Sequence, residues 1–362
     1  MKHAAALLLA AALCPSPAGA WGERGHHAIA RTAALRILHG APDPGAPLQL
    51  ALRDLFRAKA LELGHLASIP DTAWRGEDAL TKALNAPTHF SNSEHFTADF
   101  DSIPLDYGEA RAKYQGKPSL LDGKPVDLFA AGTLYWRAGQ FYDLMAADFA
   151  EAKAAEAGSP AFNAAVGRAL LHGGLLAHFV GDAAMPYHNA ADHDGRATGN
   201  GGIHSFYESA GPNTETPRLE ADVFDALPAE AERFGLEAKF AAGTHPGVRL
   251  TRDLGKEAFG LIAELKRLDD ALISKRSEGK VPAERVTADE AEPSFRPMTQ
   301  RQLAAAAAVL ARLWRGAWEQ GGRPDLSKAK FWDYHHKPDF IVPAYDPEAV
   351  ARAQAKAAAK AP

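Results

Sequence analysis

Between His178 and Glu208 the chain reads HFVGDAAMPYHNAADHDGRATGNGGIHSFYE, residues whose types and spacing suit metal binding. His178, His188, His193 and His204 share this stretch with Asp182, Asp192, Asp194 and Glu208. A packing core has no use for that density of imidazole and carboxylate. His178 and Asp182 are four apart, as are His204 and Glu208, so on helices each pair projects from one face and can grip one ion or two neighbouring ions. Pro186 and the glycines Gly199, Gly201 and Gly202 interrupt these helices. A hairpin-like loop would then bring both pairs around one centre, with His188 between them. One such pair is common by chance, but two that bracket a third histidine carry far more weight.

Composition bounds the setting. The 362 residues, 46% hydrophobic and 23% charged, are enough for one large or two ordinary soluble domains with a real core. A formal charge of -5 argues against a broad nucleic-acid footprint, although a local cluster of cations could still bind a phosphodiester. Residues 1–20 supply Lys2, an apolar run from Ala4 to Leu13 and Ala18-Gly19-Ala20, which reads as a secretory signal peptide and predicts a secreted or periplasmic protein. No stretch is long and apolar enough to predict a transmembrane segment. Cys14, the one cysteine, lies inside that signal, and Leu13 before it fits a lipidation motif poorly. The mature chain therefore offers only N and O donors to a metal.

Cleavage after Ala20 would free the α-amino group of Trp21, which with its carbonyl could chelate a metal, His26 following one turn on. The plainer alternative is a Trp that packs at the start of a helix. Asp71, His89 and His95 are further candidates from IPDTAWR and APTHFSNSEHF, set against the alternative of an N-capping Asp and surface loop histidines.

The elements that must position these groups read as helices. Apolar spacing predicts helices over 26–39, 47–63 and 126–155, and Ser159 with Pro160 supplies the N-cap and first turn of a next helix that delivers His178 and Asp182 near its end. Further helices are expected over 217–240, 247–273 and, from a Thr299/Gln302 capping box, to Trp318, with Gly321 and Gly322 as the stop. Residues 97–125 read as an irregular rim and 276–298 as a polar loop. Without convincing strand alternation or internal repeats, the chain is expected to be all-α: one globular multi-helix domain over 21–345, followed by a basic, Ala-rich tail over 346–362 that is solvated or frayed.

Taken in order, WGERGH, IPD around Asp71, THF around His89, HFVGDAAMPYH and HSFYE resemble the superfamily joining zinc-dependent phospholipases C to the S1/P1 nucleases. The resemblance spans most of the mature chain. It implies a trinuclear zinc cluster: one ion on Asp71, His89, His178 and Asp182, a second on the Trp21 amino and carbonyl groups, His26 and the shared Asp182, and a third on His188, His204 and Glu208. His89 is preferred to His95 because Thr88-His89-Phe90 is closer to the family's pattern. Such cations would activate water at neutral pH and neutralise phosphate oxygens, with Asp71 orienting or deprotonating the attacking water.

Three functions follow. A phospholipase C-like phosphodiesterase is favoured by Glu208 in HSFYE; its apolar rim would draw on Phe96, Phe100, Ile103, Leu105 and Tyr107, residues that could equally be core. A single-strand nuclease is suggested by WGERGH and the Gly199–Gly202 run, with Tyr187, Phe206 and Tyr207 as base-stacking candidates. A non-catalytic zinc-binding secreted protein is the third. The implied partners are a phospholipid or single-stranded nucleic acid substrate, with no stable protein partner. His193 is close enough in sequence to support the cluster's ligands but is placed instead on a solvent-facing loop, and His335 and His336 near the C-terminal core as structural or surface residues.

Overall fold

Helix-period apolar residues run through almost the whole chain, and they assemble as helices layered around one buried pair. The computed structural model describes residues 21–213, 216–330 and 334–359; the predicted signal at 1–20 and the final residues of the tail lie outside the described residues. The elements are α1 (Gly22–Leu35), α2 (Pro47–Ala58), α3 (Ala60–Leu66), α4 (Ile69–Thr72), α5 (Ala79–Asn85), α6 (Tyr107–Tyr114), α7 (Leu134–Ala154), α8 (Pro160–Ala184), α9 (Ile203–Ala210), α10 (Thr216–Arg233), α11 (Leu236–Ala241), α12 (Pro246–Phe259), α13 (Ile262–Asp270), strands β1 (Ile273–Lys275) and β2 (Glu284–Arg285), then α14 (Ala288–Gln320) and α15 (Pro347–Ala358). The fold is all-α, with a two-stranded antiparallel hairpin as its β-structure among the described residues.

The central pair is α7 and α8, joined by a short loop. Ser159 caps α8 by accepting from Phe162 N at 3.1 Å, with Pro160 in the first turn where its missing N–H costs nothing. From His172 to Ala184 every residue of α8 is buried. Such a helix is enclosed on all sides, and its glycines make the enclosure tight: a Cβ at Gly174 would stand 2.4 Å from Leu66 Cβ on α3. Helices α1, α3, α7, α12 and α14 all pack on α8, so whatever its C-terminal end carries is held from several directions.

Several boundaries differ from expectation for identifiable reasons. The expected helix over 47–63 breaks at Lys59 into α2 and α3. The polar segment 276–298 is not a loop throughout: Thr287 and Glu290 form a reciprocal capping box that starts α14. Thr299 is therefore interior to α14, where its hydroxyl lies 3.4 Å from Tyr207 Oη. Pro293 and Pro297 stay within this helix despite the lost hydrogen bonds, because Ala291, Phe295 and Met298 are buried along it. The tail is not frayed over its described part; α15 lays Ala349, Val350 and Ala353 against Leu80 and Leu84 of α5.

Candidate metal centre

Helix α8 ends in the motif that organises the site. His178 and Asp182, one turn apart and fully buried, bring His178 Nε2 to 3.2 Å from Asp182 Oδ2. His178 Nδ1 donates to the Ala67 carbonyl at 2.8 Å, which orients the ring and turns Nε2 toward the cluster. His89, carried in after a 3-10 turn, places Nδ1 at 2.9 Å from His178 Nε2 and 3.0 Å from Asp182 Oδ2. Asp71 Oδ1 stands 3.7 Å from His89 Nδ1 and 4.0 Å from His178 Nε2. These four residues thus converge on one point. His95 does not join them; its Nδ1 pairs with Ser119 Oγ at 2.9 Å.

The other oxygen of Asp182 faces different partners. Oδ1 lies 3.5 Å from His26 Nε2 and 3.6 Å from His188 Nδ1. The His26 ring stacks on His178 at 4.2 Å and fits only because residue 181 is Gly, whose Cβ would stand 2.7 Å from His26 Nδ1. Trp21 is fully buried at the start of α1, its indole donating to the Gly181 carbonyl at 2.8 Å and its ring edge meeting Tyr207 at 5.3 Å. Residue 21 is thereby pinned beside the neighbours of both Asp182 and Glu208.

A further group sits beyond His188. His188 Nε2 and His204 Nε2 are 2.8 Å apart, and Glu208 Oε1 lies 3.2 Å and 2.9 Å from them. His204 and Glu208 share one face of α9, and Gly202 at φ 87° turns the chain into that helix. The preceding loop is held by a clamp from the end of α13 and from the hairpin: Asn200 Nδ2 donates to Asp269 and Asp270, while Arg285 donates to the Asn200 carbonyl at 2.7 Å and pairs with Asp269 at 2.6 Å. His193 rides on this loop and is half-buried, not solvent-facing, with its ring 4.2 Å from that of His204.

Electrostatics follow from this crowding. Burial pushes His26 and His89 below the ordinary histidine range, so both are neutral at neutral pH. Burial also acts on His178 and His188, but the surrounding carboxylates together outweigh it and raise both, Asp182 and Asp71 at His178, and Asp182, Glu208 and Asp71 at His188. Burial likewise opposes the charges of Asp182 and Glu208, yet the facing histidines hold Asp182 well below the carboxylate range and Glu208 at about 2.

Buried polar atoms are almost always hydrogen-bonded. Here Nδ1 and Nε2 of His26, Asp71 Oδ2, His89 Nε2, Asp182 Oδ1, His188 Nδ1, His193 Nδ1 and Glu208 Oε2 are buried without hydrogen-bond partners. Most are lone-pair acceptors drawn together, a set that cations satisfy and that further protein donors do not. The residues fit a metal centre. Groups able to hold an ion include His26/Asp71/His178, His89/His178/Asp182 and His188/His193/His204. Sequence reasoning assigned His193 no role in this set, although its place five residues after His188 was the available signal.

Above the cluster lies a cleft of about 270 Å³, lined by His89, His188, His193, His204, Phe90, Asn85 and two cations, Arg75 and Lys82. Arg75 also pairs with Asp71 Oδ1 at 2.5 Å. The two cations were not singled out from sequence; Arg75 falls four residues after Asp71, which was the clue. The aromatic residues proposed for either substrate fare differently. Phe96, Phe100, Ile103 and Tyr107 are core, as are Tyr187 and Tyr207, and Phe206 packs against Phe295. His335 lies 3.3 Å from Glu62, and the His336 carbonyl accepts from His65.

No family model and no curated protein sequence matches the chain. Among solved structures it is similar to an alpha-toxin of Clostridium perfringens isolated from avian strain SWCP, at 14% identity and a TM-score of 0.41, over 83% of this chain. The chain spans 66% of that toxin's length.

Proposed function

We propose that the chain is a zinc-dependent phosphoester hydrolase that cleaves a phosphodiester in the manner of a phospholipase C. The observation that carries this reading is the division of Asp182, whose two oxygens face two separate donor sets beneath a cleft bordered by Arg75 and Lys82. The proposed ligands are Asp71, His89, His178 and Asp182 for one ion; Trp21, His26 and Asp182 for a second; and His188, His204 and Glu208 for a third. Bound cations supply water activation and neutralise phosphate charge. Arg75 and Lys82 draw the anionic phosphate into the cleft and orient it. Asp71, with Oδ1 on Arg75, takes the proton of the attacking water at Oδ2.

A lipid substrate is favoured over nucleic acid by Leu120 and Leu121. They are adjacent, 65% and 54% exposed, and stand on an excursion tied to the His89 segment by Leu120 N donating to the His95 carbonyl at 2.8 Å. Among the described residues no helix is long and apolar enough to cross a membrane. Secretion rests on residues 1–20.

The test is metal content, together with hydrolysis of phosphatidylcholine micelles and single-stranded DNA, for a chain beginning at Trp21 and its Asp182→Asn variant. Lipid cleavage that disappears in the variant is expected. DNA cleavage lost in the same way moves the protein to the nuclease branch, and zinc without either activity returns it to a binding role.

A further inference from the structure

We propose that His193 is a direct ligand to the metal beside α9, so that this position is closed by four protein donors: His188, His193, His204 and Glu208. The inference rests on the metal-centre reading above and concerns a residue outside the ligand set given there.

The geometry begins with the other three donors. A tetrahedral zinc site with bonds of about 2.0–2.1 Å places its ligand atoms about 3.3 Å apart. The separations among His188 Nε2, His204 Nε2 and Glu208 Oε1 are 2.8, 2.9 and 3.2 Å, close to three edges of such a tetrahedron. Two imidazole lone pairs this near one another and one carboxylate are held together by a shared cation or proton. A fourth corner remains, and His193 is the side chain beside it. One nitrogen from each of His188, His193 and His204 lies within 4.8 Å of the others.

His193 has the further marks of a ligand. Its ring lies 4.2 Å from that of His204 and 5.3 Å from that of His188, and Phe90 covers it at 5.7 Å. Nδ1 is buried and makes no hydrogen bond, an arrangement a merely packed histidine avoids. The clamp on Asn200 by Asp269 and Arg285 fixes the loop that carries it.

The consequence is a division of labour. A site closed by four protein donors has the character of a structural zinc site, whereas catalytic sites keep a position open. The ion beside α9 is then retained tightly, and a substrate phosphate reaches it only by displacing His193. This exchange is feasible because His193 alone of the four donors lies in an irregular loop; His188 is on a 3-10 turn and His204 and Glu208 are on α9.

The test uses the full chain with His193→Ala and the size-preserving His193→Gln, plus His95→Ala as a histidine outside the cluster. Zinc affinity is measured by competition with a chromophoric chelator, and cobalt is substituted to read coordination from its visible absorption. The expected result is that one ion is held at least about 100-fold more weakly in both His193 variants, beyond the range for losing a mere supporting contact. The strong four-coordinate cobalt absorption should fall with it, while His95→Ala behaves as the parent. Circular dichroism identifies a variant that fails to fold, in which case the Gln form carries the comparison. Unchanged affinity and unchanged cobalt spectrum in a folded His193 variant overturn the inference and leave the metal centre standing. A parent chain that binds no zinc overturns both.

Discussion

Gly181→Ala probes the metal centre without touching a donor. A Cβ there would stand 2.7 Å from His26 Nδ1 and 2.8 Å from Cε1, against 3.4 Å for the shortest ordinary contact. The imidazole must therefore move by about 0.7 Å, the difference between 3.4 and 2.7. It has little room, being stacked on His178 at 4.2 Å with Ile29 Cδ1 only 3.2 Å from the new methyl group. Overpacking of this kind costs about 1–3 kcal/mol. Replacing an interior helical glycine by alanine returns about 1 kcal/mol. The metal-free protein should lose no more than about 2 kcal/mol on these two effects. A ligand moved by most of an ångström, however, leaves productive geometry. Zinc at the His26 position should weaken clearly while the other positions keep theirs. Chemical denaturation of the chelated protein and metal analysis after dialysis separate the two quantities. A variant about 1 kcal/mol more stable than the parent with its full metal complement would refute the packing argument and the assignment of His26 as a ligand.

Other outcomes follow from the same geometry. Asp182 raises His178 and His188, so their protons compete with metal above the ordinary histidine value of 6.5; zinc affinity should begin to fall as pH drops toward 6.5 and should fall further below it, as read by titration at fixed chelator. In the Asp182→Asn protein this onset should shift to lower pH. Replacing Leu120 and Leu121 together by Ser should cut binding to phosphatidylcholine vesicles by about 10-fold or more, since burying the exposed 65% and 54% of two side chains, at about 1.5 kcal/mol for a whole leucine, contributes about 1.8 kcal/mol, while hydrolysis of a monomeric short-chain phosphodiester stays unchanged. Equal vesicle binding by the double variant would remove the argument for a lipid substrate. Lys82→Ala should raise KM for an anionic substrate several-fold and leave zinc content intact; loss of zinc instead would mean that Lys82 supports the cluster.

The juxtaposition of the proposed donors was legible wherever local geometry sets it. His178 with Asp182 and His204 with Glu208 obey the four-residue repeat of a helix, and the structure puts each pair on one face. His193 was not legible, because its position depends on the turns that Gly195, Gly199 and Gly202 make at positive φ and on a clamp reaching from Arg285, which is distant in sequence. The apolar residues from Phe96 to Tyr107 show the limit of reading exposure from composition: an irregular segment can bury its aromatic rings as completely as a helix does. Helix α14 was cut short in the sequence reading because two prolines oppose a helix locally, and burial over many turns outweighs them.

The hairpin that carries Arg285 lies outside the ring of donors, yet it holds the backbone on which one flank of the cleft is built. Arg285 and Asp269 are both buried, so removing either leaves an uncompensated charge in addition to releasing Asn200. Natural or laboratory variation in this hairpin therefore has a route to the metal centre that spares every ligand. Selectivity among cations, or the ease with which one is exchanged, can drift there gradually while the donor set itself stays the same.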